Sequence, residues 1–187
     1  MGEIHHYPPA LLLIAAFSAY PEYLEEGKKR AVAEFGPLYR ESELFRFDEF
    51  TDYYDEVMGK VLYKQLWTFS QLIDPGRLAS IKVQTNGWEE EAAASFTGDP
   101  SIVRPLNLDP GYIDLGKLVL ASTKDHAHRV YLDQGIFGEI TLMYKQKHWV
   151  ALPWSYPDYQ SEGYTRFLTE NREYLHQRKK EENQRES

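Results

Sequence analysis

The sequence predicts an α+β domain with a mainly antiparallel sheet and flanking helices, ferredoxin-like in its first part, with a C-terminal hairpin and helix added. Three observations carry this. Short apolar or alternating runs bounded by turn residues recur along the chain, as strands require. Two helical patterns, after Pro21 and after Asp74-Pro75, divide them in the order strand, helix, strand, strand, helix, strand, the split β-α-β order. Beyond residue 109 the chain alternates around Gln134-Gly135-Ile136, a hairpin signature. At 187 residues one domain is expected over 1–170, followed by a polar helical tail over 171–187.

Residues 10–17 are continuously apolar, which suits a strand covered on both faces. Pro21 opens a helix whose Tyr23, Leu24, Ala31, Val32 and Phe35 share one face, and Gly36-Pro37 ends it. Residues 44–50 alternate with Phe45 and Phe47 on the inner side, and 61–69 form the next strand. Asp74 as N-cap and Pro75 at the first position start a second helix, expected to reach about Thr85 and to be interrupted at Asn86-Gly87. Residues 103–109 read as a strand that stops at an Asp109-Pro110-Gly111 turn. For 114–123 two readings stay open: a helix capped by Asp114, or a strand carrying Leu118, Val119 and Leu120. Residues 161–187 are helical by the spacing of Tyr164, Phe167, Leu168 and Leu175.

The net charge of −8 and pI of about 5.3 argue against a nucleic-acid partner held by the overall field. The acidity concentrates in 41–56, where Glu41, Glu43, Asp48, Glu49, Asp52, Asp55 and Glu56 face a single cation, Arg46. The absence of cysteine removes disulfides, thiolate catalysis and cysteine-based metal sites. No run approaches the roughly 20 apolar residues of a membrane span, and Glu3, His5 and His6 stand where a signal peptide would be basic. No membrane partner and a cytoplasmic location are therefore expected.

The hairpin can be set in register from its faces. A three-residue loop over Gln134-Gly135-Ile136 puts Asp133 opposite Phe137, Tyr131 opposite Glu139 and Arg129 opposite Thr141, so that polar side chains share one face. Arg129 and Glu139 become diagonal neighbours. Such a pair is either a surface ion pair or part of a ligand-contacting face, with Arg129 for an anion and Glu139 as acid, base or metal ligand. His126 and His128, in the adjoining loop with Asp125, are of the types used in proton transfer or metal binding. Asp52 and Asp109 follow strand ends, where functional carboxylates often sit. The stretch 153–159, Pro-Trp-Ser-Tyr-Pro-Asp-Tyr, is held extended by its prolines and offers flat rings, either to the sheet or to a ligand or partner.

Gly111-Tyr-Ile-Asp-Leu-Gly116-Lys117 matches G-x-x-x-x-G-K. A phosphate loop needs Ser or Thr next and a helix after it, whereas residue 118 is Leu and a hairpin follows.

Several long segments resemble a known family. They are Phe-Thr-Asp-Tyr-Tyr at 50–54, Asn-Leu-Asp-Pro-Gly-Tyr at 107–112, Leu-Val-Leu-Ala-Ser-Thr-Lys at 118–124, His128-Arg129-Val-Tyr-Leu, Glu139-Ile-Thr-Leu-Met-Tyr, and the aromatic stretch at 153–159. The chain resembles, from its first strand to Tyr164, the bacterial domain of unknown function 4416 family, some members of which carry the label "GTP-binding protein". The resemblance implies no established activity and transfers no catalytic residue.

The function expected from these residues is binding of, or action on, an anionic small molecule or nucleotide. Lys124, Arg129, Tyr131 and Thr141 are the binding candidates, and His126, His128 and Glu139 the catalytic ones. No metal site is assigned, and the sequence names neither a cofactor nor an oligomeric state. The alternative is a non-enzymatic protein-interaction module using the acidic 41–56 segment and the aromatic 153–159 loop.

Overall fold

The computed structural model describes residues 7–48 and 54–185. Strand β1 (Ala10–Ser18) lies at the centre with every residue buried. Its neighbours are β4 (Tyr63–Ile73) and β5 (Asn107–Ile113), both antiparallel to it. Alternation splits its side chains between two cores. Leu12, Ile14 and Ala16 pack against α1 (Pro21–Phe35) and α3 (Leu78–Ser95) through Leu24, Phe35, Ile81 and Trp88. Leu11, Leu13 and Ala15 pack against α4 (Glu162–Arg185) through Tyr164, Phe167, Leu168 and Leu175.

The sheet order is β2-β4-β1-β5-β6-β8-β7, with β2 at Leu38–Glu41, β6 at Lys117–Ser122, β7 at Val130–Asp133 and β8 at Ile136–Lys145. Short β3 (Phe45–Arg46) adds to β4, and β9 (His148–Ala151) adds to β8. A single turn, α2 (Asp55–Met58), follows β3. β4 lies between β1 and β2, and α1 and α3 cover one face, which is the split β-α-β order read from the sequence. The expected strand over 44–50 is paired only at Phe45 and Arg46; Phe47 is buried, and 49–50 lie outside the described residues. α4 continues unbroken across the boundary expected at 170/171, and Leu175 beyond it is fully buried.

Three local expectations are corrected, and one open alternative is resolved. α3 runs through Asn86-Gly87 to Ser95; a mid-helix glycine costs only about 1 kcal/mol, and buried Thr85 and Trp88 hold the helix on either side. Asp74 does cap, accepting from the Gly76 N–H at 2.8 Å, but it caps a single 3-10 turn at Pro75–Arg77. Asp109-Pro110-Gly111 is not a turn but lies inside β5, paired with Ala15, Ile14 and Leu13. Pro110 is tolerated because β5 and β6 pair only from Gly111 onward, so its missing N–H breaks no bond to β6. The open question over 114–123 resolves to a strand. Asp114 caps the preceding turn instead, accepting from the N–H groups of Gly116 at 2.6 Å and Lys117 at 2.7 Å. The Gly111–Lys117 match is thus strand, turn, strand, and the helix of a phosphate loop is not formed.

The hairpin register also differs. The loop has two residues, Gln134 and Gly135, both at positive φ (53° and 76°), the geometry that suits a right-twisted hairpin. Tyr131 pairs with Phe137 and Val130 with Gly138, while Leu132 is bulged. Tyr131 is therefore not opposite Glu139. Arg129, just ahead of β7, reaches Glu139 with its side chain at 2.6 Å.

Candidate functional site

The sheet divides where β5 and β6 part. β5 stays with β1 from Asn107 to Ile113, and β6 stays with β8 from Lys117 to Ser122. Between them only Gly111↔Leu120, Tyr112↔Val119 and Ile113↔Leu118 are paired. The remaining ends diverge and open a cleft of about 460 Å³. Its walls include Lys82, Asn86 and Glu89 of α3, Arg104 ahead of β5, Asn107 and Asp109 of β5, Ser122 at the end of β6 with Thr123 and Lys124 after it, and Arg129, Glu139 and Tyr156.

One wall is a buried charge network. Lys82 and Glu89 are seven residues apart, two turns of α3, so they point the same way. Lys82 Nζ donates to the Leu108 carbonyl at 2.8 Å and to Asp109 Oδ1 at 3.1 Å, and lies 3.6 Å from Glu89 Oε1. Glu89 accepts the Leu108 N–H at 2.7 Å and the Arg104 guanidinium at 2.6 Å. Asn107 Nδ2 donates to Asp109 Oδ2 at 2.8 Å. The Asp109 side chain remains 33% exposed, so it opens into the cleft. Burial pushes its carboxyl up, but Lys82, Arg104 and Asn107 outweigh burial and hold it below the ordinary carboxylate value. Arg104 is shifted up because Glu89 and Asp109 outweigh its own desolvation.

The opposite wall is built around Glu139, only 4% exposed. Arg129 Nε donates to it at 2.6 Å, Thr141 Oγ1 at 3.3 Å, and His128 Nε2 lies 3.3 Å away. Arg129 Nη1 also donates to Ser122 Oγ at 2.7 Å and to the Lys124 carbonyl at 3.0 Å. His126 stacks on His128 with centroids 5.7 Å apart, and His128 stacks on Trp154 at 5.0 Å. The geometry of β8 explains why the aromatic loop ends here. β7 pairs with its first residues and β9 with Leu142 to Lys145, leaving carbonyls bare between them. The Trp154 indole N–H fills one, donating to the Ile140 carbonyl at 2.9 Å, and the Ser155 hydroxyl fills the next at Thr141.

Of the residues singled out from sequence, Lys124, Arg129 and Glu139 line the cleft. Thr141 is buried beneath Glu139, and His128 touches Glu139 while His126 stacks outside it. Tyr131 is 58% exposed, packs edge-on against Phe137 and lies away from the cleft. Asp109 lines the cleft; Asp52 falls outside the described residues. Sequence reasoning missed Lys82, Glu89, Arg104 and Asn107. The available signal was that Lys82 and Glu89 continue the buried stripe of Leu78, Ile81, Thr85 and Trp88, where a charge has to find a partner. Among the described residues no three His, Asp or Glu side chains form a set that could hold a metal, and no helix is long and apolar enough to cross a membrane.

The model of the family described as Domain of unknown function (DUF4416) matches residues 8–174. The chain belongs to this family. The match takes in both walls of the cleft, so the family's span coincides with the site as well as with the core. Comparison with curated proteins and with solved structures finds no match.

Proposed function

We propose that this chain is a bacterial cytoplasmic protein of ferredoxin-like organisation that binds, or acts on, an anionic small molecule in the cleft between β5 and β6. The observation that carries the reading is convergence. Lys82, Arg104, and the pair Lys124 and Arg129 come from three separate stretches of the chain and line one cavity. The whole chain has 21 cations against 29 acids, yet the cleft walls carry as many cations as carboxylates. The cleft walls are therefore charge-balanced while the chain as a whole is acidic, so an anion meets less repulsion there than over the rest of the surface. Its size falls within the roughly 300–1,000 Å³ of small-molecule sites. Asp109 and Glu139 stand on opposite walls as the groups able to accept or relay a proton.

The interaction-module alternative has weaker support. Glu41 is bonded to Lys28 at 2.9 Å and Asp48 to Arg46 at 2.5 Å, so these carboxylates of the acidic segment are compensated within the chain. Trp154, Ser155 and Asp158 of the aromatic loop are all bonded inward.

A thermal-shift screen with nucleotides, sugar phosphates and sugar acids tests the proposal. At least one anion is expected to raise the Tm of the wild type, and Lys124→Ala is expected to reduce that rise at equal ligand concentration. Stabilisation that survives both Lys124→Ala and Arg129→Gln would refute the assignment.

A further inference from the structure

We infer that the ligand of this cleft is a hydroxyl-rich molecule with one anionic group, a sugar acid or sugar monophosphate, and not a nucleoside triphosphate. This rests on the reading just given and narrows it.

Charge is the first argument. The four cations of the walls are accompanied by four carboxylates, Glu89, Glu90, Asp109 and Glu139. Lys82 is already held by Asp109 and Glu89, Arg104 by Glu89, and Arg129 by Glu139. A triphosphate would bring about four negative charges against the same number of carboxylates, and it accepts hydrogen bonds without donating any. A single anionic group asks for one or two of the cations only, such as Arg104, whose side chain stays 37% exposed while paired with Glu89, or Lys124 on the exposed rim.

The donor and acceptor pattern is the second. The side chains that line the cleft differ in kind: Arg104 donates, Asp109 accepts, and Tyr156 carries a hydroxyl, a group able to do both. Hydroxyl groups also do both, so a polyol can satisfy carboxylate and guanidinium together, whereas a phosphate leaves the carboxylates opposed. Tyr156, 44% exposed, adds a flat ring on which the C–H face of a sugar can rest.

The third is the backbone. Polyphosphates are commonly cradled by a glycine-rich loop at a helix N-terminus. The segment that resembles such a loop forms the β5–β6 turn, and its Lys117 is bonded to Asp114 at 2.7 Å.

Isothermal titration of the full chain decides the matter, with hexose 6-phosphates, pentose 5-phosphates, hexuronates, neutral hexoses, inorganic phosphate, and ATP and GTP with and without Mg²⁺. At least one sugar acid or sugar monophosphate is expected to bind ten times more tightly than inorganic phosphate, ATP or GTP. Tyr156→Ala, at an exposed position that leaves the core intact, is expected to weaken that ligand about tenfold while Tm stays unchanged. Tighter binding of GTP or ATP, lost in Lys124→Ala, would overturn the inference and leave the anion reading standing. Equal affinity for inorganic phosphate and sugar phosphate would overturn the role of the hydroxyls. No binding by any of these probes would overturn both readings.

Discussion

Lys64 and Asp158 show how this chain stabilises charge inside its core. The pair meets at 2.7 Å with side chains 5% and 1% exposed. The Phe47 and Tyr159 rings lie 4.5 and 4.7 Å from the ammonium, where their faces favour a cation. Removing one partner strands a buried charge, so Asp158→Ala is expected to cost about 3–5 kcal/mol in urea denaturation, and Lys64→Met in the same chain to recover much of it. A second residue-scale outcome concerns pH. Asp114 holds the turn before β6, accepting from Gly116, Lys117 and Tyr7. Burial pushes its carboxyl up, but hydrogen bonds from Lys117, Tyr7 and Gly116 outweigh burial and keep it below its ordinary 3.8. A lowered folded pKa contributes stability that is full above 3.8 and is lost as pH falls through the folded value. Stability measured from pH 6 down to pH 2 is expected to fall less steeply in Asp114→Asn than in the wild type; equal slopes would contradict this role. Asp158 could not be read as a buried ion-pair partner from sequence, because Lys64 lies 94 positions away and only the fold joins them.

At the scale of elements, turns and strand contacts decide where side chains point. The β7–β8 and β8–β9 hairpins turn on residues at positive φ, Gln134-Gly135 and Gln146-Lys147. The left-handed region costs a non-glycine residue roughly 1–2 kcal/mol, and Asn-Gly is the preferred pair for such turns. Replacing Gln146-Lys147 by Asn-Gly is expected to raise stability by about 0.5–1 kcal/mol in chemical denaturation. Gly111 has the opposite sensitivity. A Cβ there would lie 2.3 Å from the Val119 carbonyl oxygen, so Gly111→Ala has to push β6 off β5 at the point where the cleft begins. It is expected to cost more than about 2 kcal/mol and to weaken ligand binding as well. The hairpin shows why alternation alone misplaced the register. In an unbulged ladder, agreement of faces demands a three-residue loop, but the bulge at Leu132 absorbs one residue and restores the faces with a two-residue loop. A bulge leaves no trace in a period-two pattern. The contact it produces, Arg129 on Glu139, was still legible, because both registers bring the two residues within reach.

For the whole molecule, the legible part is the part governed by burial. The apolar run at 10–17 became the central strand, the helical stripes of α1 and α4 became the two cores, and the order of elements matched the sheet order β2-β4-β1-β5. The cleft was half legible. Its Glu139 wall is local in sequence, within residues 122–141, and was found from strand alternation. Its Lys82 wall joins α3 to β5 across a division of the sheet, and that division exists because β5 and β6 pair over three residues only. Periodicity reports faces, not where two strands separate, so Asp109 read as a turn residue when it is a carboxylate opening into the cleft. The charge on both walls is what a ligand would meet, and exposed Lys124 can be removed without disturbing the core, since surface changes of this kind stay within about 0.5 kcal/mol. The most direct measurement is the dissociation constant, by isothermal titration, of the most stabilising anion for wild type and for Lys124→Ala. The cleft assignment predicts at least tenfold weaker binding in the variant at unchanged Tm; equal affinity in the two proteins would contradict it.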